Sequence, residues 1–90
     1  MKDATPITDE LLLKLVKEAL ESLGDARIRT DRLSMDATLT SLGVDSMSAI
    51  EMSAYVEDAL GIRLPDDQLA RVNSVGGLAQ IIRAHLGRAA

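Results

Sequence analysis

Between residues 11 and 23 apolar side chains recur at three- and four-residue steps (Leu11, Leu12, Leu15, Val16, Ala19, Leu20, Leu23), and the pattern stops at Gly24. That period puts them along one side of an α-helix, and a helix with one apolar side must bury it against other elements. Thr8, followed by Asp9 and Glu10, supplies a cap and two carboxylates for the positive end of the helix dipole, while Gly24 suits the backbone just past a last turn. The same reading predicts a second helix over Ser46–Leu60, stopped by Gly61. A turn at Leu64-Pro65-Asp66 leads into a short helical piece over Asp66–Val72, because proline restricts the residue before it and favours the first turn that follows. Ser74 can cap a last helix running to about Leu86 and carrying Val75, Leu78, Ala79, Ile81, Ile82 and Leu86. Residues 25–40 make a long polar connection, pinned to the rest by Ile28, Leu33 and Leu39.

The expected fold is therefore all-α: a small four-helix bundle of three longer helices and one short helix, with a long first connection. Fourteen Leu, six Ile and five Val, with no Phe or Trp, give it an aliphatic core, and twelve Ala favour helix over sheet. Ninety residues are enough for one compact domain and too few for two. We expect a single domain over 1–90, the bundle spanning about 8–86 between short flexible termini. No internal repeat or low-complexity segment is present.

Composition excludes several functions. Without cysteine there is no disulfide framework, thiolate metal site or cysteine nucleophile. No apolar run approaches membrane-span length and no signal-peptide pattern opens the chain, so no membrane association and a cytoplasmic location are expected. A net charge of −4 disfavours nucleic acid and suits basic protein partners. Asp31 and Asp36 lack the spacing of a calcium loop, and no metal site is expected. Asp66 and Asp67 read as first-turn dipole partners rather than paired catalytic carboxylates. Arg27, Arg29 and Arg32 read as a solvated basic run, and Gly76-Gly77 is no phosphate loop, since no lysine-serine pair follows it.

The chemistry concentrates in Leu42-Gly43-Val44-Asp45-Ser46-Met47. Ser46 falls on the first turn of the second helix, where a phosphate on its hydroxyl would face unpaired N–H groups and the positive end of the dipole. Asp45 serves as the cap. Catalysis by Ser46 itself is not expected: the only histidine, His85, lies near the end of the last helix, and no Gly-x-Ser-x-Gly elbow surrounds the serine. The second helix carries two apolar stripes. At 100° per residue Ala49, Met52, Val56 and Leu60 share one side, assigned to the core, while Met47, Ile50 and Ala54 share the opposite side, edged by Glu51, Glu57 and Asp58. That second stripe is either a partner-docking face, with carboxylates to steer and apolar anchors to hold, or a surface covered by the long connection.

On these residues the chain resembles the acyl carrier proteins, whose carrier serine lies in an Asp-Ser-Leu or Asp-Ser-Met motif after a Leu-Gly pair. The similarity runs over roughly residues 8–86. It takes in Leu39, Leu42 to Met47, Glu51 and Glu57, the turn Gly61 to Asp66, and Val72-Asn73-Ser74-Val75. The resemblance implies that Ser46 is esterified to 4'-phosphopantetheine, taken from coenzyme A by a separate phosphopantetheinyl transferase, and that the arm's thiol holds an acyl group as a thioester. A cysteine-free carrier of thioesters needs such a borrowed thiol. By the same resemblance Asp45 helps orient the transferase's metal or substrate, and the further partners are acyltransferase, ketosynthase or ligase enzymes acting on a monomer. Ser48, Ala49, Ser53, Ala54 and Ala59 make the second helix less charged than in the acidic carriers of fatty acid synthesis. With the Ala- and Arg-rich composition, this favours a free-standing carrier of a polyketide or related secondary pathway. A peptidyl or aminoacyl carrier is the nearest alternative, although that family more often shows Gly-Gly-x-Ser. A helical adaptor that is never modified is the alternative from another class.

Overall fold

The computed structural model describes residues 7–88; the outermost parts of the termini expected to be flexible, 1–6 and 89–90, lie outside them. The helices are α1 (Asp9–Ser22), α2 (Ser46–Leu60), α3 (Asp66–Leu69) and α4 (Val75–Arg88), and a single 3-10 turn, Thr30–Arg32, interrupts the long connection. No strand forms among the described residues; Thr38 and Ser74 meet only in an isolated antiparallel bridge. No helix among them is long and apolar enough to cross a membrane.

The punctuation read from the sequence sets the helix ends. Thr8 Oγ1 accepts the Leu11 N–H at 3.1 Å, and Ser74 Oγ accepts that of Gly77 at 3.0 Å, each satisfying one of the orphan donors of a first turn. Gly61 closes α2 in the left-handed conformation. The short helix is one correction. Expected to reach Val72, it ends at Leu69, because Arg71 and Val72 bond back three residues instead of four and the chain turns so that the Asn73 carbonyl accepts the Leu39 N–H at 3.0 Å.

The core draws on every element: Leu12, Val16, Ala19 and Leu20 of α1, Met52 and Val56 of α2, Leu69 of α3, and Val75, Leu78, Ala79 and Ile82 of α4. The connection adds Leu39, Leu42 and Val44 to it, with Ile28, Leu33 and Met35 packed at its margin. A connection this long keeps one place because its backbone is used. Leu42 accepts from Arg29, while Met35 and Ala37 accept from Gly76 and Val75 at the start of α4. At the open end of the bundle, Arg83 of α4 bonds both the Asp9 carboxylate at 2.6 Å and the Ile7 carbonyl at 3.0 Å, tying α4 to the beginning of α1.

Candidate functional site

The approach to Ser46 is fixed by Gly43. Its φ of +82° lies in the left-handed region, and a Cβ there would overlap the carbonyl oxygen of Arg27. Only glycine lets the connection press its own backbone against residues 27–29 and still turn into α2. Val44 is then driven into the core and Asp45 and Ser46 are left at the surface.

Asp45 caps α2, its Oδ1 accepting the Ser48 N–H at 2.8 Å. This backbone hydrogen bond, reinforced by the Ser48 hydroxyl and by the nearby positive charge of Arg27, holds the Asp45 carboxyl below the usual carboxylate range. Ser46 is exposed on the first turn, where its own N–H and that of Met47 have no intrahelical acceptor and the dipole is positive. The site thus presents a free hydroxyl backed by donors suited to a phosphodiester. Arg27, exposed as the sequence suggested, is forked onto Asp25 at 3.1 and 3.0 Å, and those bonds hold the Asp25 carboxyl below its usual range.

Beside Ser46 opens a cleft of about 480 Å³ between α2 and the α3 segment. Asp45, Ser46, Ala49 and Ile50 form its mouth and near wall, Leu39 and Val44 belong to the connection side, and Asp66, Leu69, Ala70, Val72 and Asn73 come from the far side. The lining is mostly apolar with a few polar groups at its edge, the usual make-up of a site for a small, largely hydrophobic group. Nothing in the local sequence around Ser46 announces this cleft, since its walls lie up to 34 residues apart, from Leu39 to Asn73.

The two stripes of α2 separate as expected in their main members. Met52 and Val56 are buried, whereas Met47 and Ile50 are 67% and 54% exposed, so the long connection does not cover them. Ala54, Glu51 and Asp58 are exposed on the same side, as is Tyr55, which the sequence reading did not place. Several details differ from the expectation. Ala49 and Leu60, assigned to the core, are half-buried, Ala49 lining the cleft, and the positions that turn inward beside Met52 are Ser48 and Ser53, 7% and 3% exposed. Ser53 Oγ satisfies itself on the Ile50 carbonyl at 2.7 Å, which is how a hydroxyl enters an aliphatic core without a stranded donor. Glu57, expected on the acidic edge, is half-buried with Oε2 accepting the Leu64 N–H at 2.7 Å. His85 bonds the Ile81 carbonyl of its own helix through Nδ1 at 2.9 Å, and Asp66 and Asp67 occupy the first turn of α3.

A family model described as a phosphopantetheine attachment site matches residues 10–82. The acyl carrier protein homolog of Ureaplasma parvum is 32% identical over 69 residues, 77% of this chain and 80% of that protein. The non-reducing polyketide synthase pks11 of Talaromyces marneffei is 35% identical over 57 residues, 63% of this chain but 2% of that much larger protein. Among solved structures, the hexanoyl acyl carrier protein of the actinorhodin polyketide synthase of Streptomyces coelicolor superposes with a TM-score of 0.78. It is 27% identical, and the match covers 98% of this chain and all of that one.

Proposed function

Since the chain belongs to the phosphopantetheine-attachment family of acyl carrier proteins, which carry acyl groups rather than catalyse, we propose that Ser46 bears the 4'-phosphopantetheine arm and the adjoining cleft receives its cargo. The observation that carries this reading is the exposed Ser46 hydroxyl on the first turn of α2, at the mouth of a cleft large enough for a short acyl chain. When bound, the arm supplies the thiol that this cysteine-free chain lacks.

The chain's own residues present and orient. Asp45 fixes the first turn of α2, the dipole and free N–H groups of that turn favour the phosphodiester, and Gly43 sets the angle at which the serine meets a partner. Asp45 Oδ1 accepts from Ser48 and His85 Nδ1 bonds Ile81, and on this reading the transferase takes the proton that leaves Ser46 as the Oγ–P bond forms and the diphosphate linkage of coenzyme A breaks.

Carriers of this family act with synthases and transferases of their pathway. For this chain the specific partners are a phosphopantetheinyl transferase and then acyltransferase, ketosynthase or ligase enzymes. They would dock a monomer in the cytoplasm over Met47, Ile50 and Ala54, steered by Glu51 and Asp58. A polyketide pathway is the favoured setting, supported by the match over the full length of a carrier from the actinorhodin polyketide synthase. Intact mass after incubation with coenzyme A and a broad-specificity phosphopantetheinyl transferase tests the reading. The parent chain should gain one arm and Ser46→Ala none. A parent that gains nothing would leave the unmodified adaptor in place, and a variant that still gains mass would move the site.

A further inference from the structure

Glu57 does more than edge a docking face. Its carbonyl accepts the N–H groups of Gly61 at 2.8 Å and Ile62 at 3.2 Å, which ends α2. Its side chain then reaches beyond that turn to accept the N–H of Leu64 at 2.7 Å. Leu64 is buried and directly precedes Pro65, the N-cap of α3. At four residues, and with no side-chain cap at Pro65, α3 is too short to hold its own position. Beyond the burial of Leu69, its place depends on what grips the chain on either side: Leu64 before it, and after it Asn73, whose carbonyl accepts from Leu39 at 3.0 Å. Between those two grips lie Asp66, Leu69, Ala70 and Val72, the greater part of the far wall of the cleft.

We propose that Glu57 is a positioning residue for the cleft, its carboxylate holding the Leu64 amide and through it the distance between α3 and α2. Its bearing on cargo rests on the reading that the cleft receives the acyl group. The role separates Glu57 from Glu51 and Asp58, which are exposed on the outer face. It also gives the acceptor, rather than the charge, the decisive part, so the amide isostere should largely preserve it.

Amide hydrogen exchange on the unmodified chain, compared across parent, Glu57→Gln and Glu57→Ala, reads the latch directly. Glu57→Ala should speed exchange at Leu64 and along residues 66–73 by about tenfold or more, the scale for losing a charge-assisted hydrogen bond to a locally opening segment. Glu57→Gln, which keeps a carbonyl acceptor, should stay within about threefold of the parent. Amides of α1 and α4 serve as the internal control and should not change in either variant. Equal acceleration in both variants, or none in either, overturns the positioning role. The same three proteins, loaded with a hexanoyl thioester and exposed to hydroxylamine, then test the cargo reading separately. Faster cleavage in Glu57→Ala alone supports both ideas. Identical cleavage beside altered exchange would sink the cargo reading and leave the latch standing.

Discussion

Replacing Val56 and Ile50 by aspartate, one at a time, tests the division of α2 into a structural side and a presenting side. Val56 is 0% exposed and Ile50 is 54% exposed, six residues away on the same helix. At Val56 the change removes about 1.5–3 kcal/mol of apolar burial. It also strands a carboxyl in an aliphatic core at a further cost of roughly 1–3 kcal/mol even when protonated. At roughly 0.05–0.15 kcal/mol per residue, a chain of 90 residues has about 4–14 kcal/mol in all. The loss at Val56 is therefore a large part of the total. Ile50 already shows half of itself to water, so the same change there should cost about 1 kcal/mol, or about 4–8 °C in melting temperature for a chain of this size. Thermal and urea melts followed by circular dichroism at pH 7 would read both. Burial raises the pKa of an introduced carboxyl above its unfolded value. The folded Val56→Asp chain then holds more protons than the unfolded one, and its deficit should shrink as pH falls toward about 4. Ile50→Asp should show no such recovery, and should instead load poorly with partners that use an apolar anchor. If Ile50→Asp melts as low as Val56→Asp, Ile50 is a core residue and the presenting side has been wrongly drawn.

Glu51→Lys and Asp58→Lys should slow modification by the transferase chiefly through slower association, a deficit that fades as salt is raised; parent rates at low ionic strength would remove electrostatic steering from this face. Gly43→Ala should cost about 1–3 kcal/mol or more, since a left-handed φ and an overlap with the Arg27 carbonyl both oppose it. A melt unchanged from the parent would mean that the connection can shift freely there. Asp45→Ala should lower stability at neutral pH. Because the fold holds this carboxyl below its ordinary value of 3.8, the contribution is complete above that value and disappears as pH falls through the lower folded one, so parent and variant should converge in acid. A gap that stays constant down to acid would show that the charge of Asp45 contributes nothing to the cap.

The helix ends with explicit start or stop signals were the legible ones. Thr8, Ser74 and Gly61 act through a side-chain oxygen or a left-handed backbone, local devices that need no knowledge of the fold. The end of α3 was not local. Ala70, Arg71 and Val72 are compatible with helix, and only the need to bring Asn73 against Leu39 stops it. Ser48 and Ser53 were read only as residues that lower the charge of α2, although Ser48 steps by four to Met52 and Val56 and that spacing alone assigns it inward. Ser46 and Asp45 stood out from motif and helix start. The cleft and the Glu57–Leu64 bond did not, because both join segments that meet only when the bundle closes.

The far wall of the cleft has a consequence for the order in which the protein is made. A growing chain displays the whole Leu42–Met47 motif and all of α2 once residue 60 has emerged, yet Leu69, Val72 and Asn73 are still to come, and with them the contact to Leu39. Ser46 is thus complete in synthesis before the cleft beside it can close. A fragment ending near Leu60 would bear Ser46 and its motif but lack the far wall of the cleft.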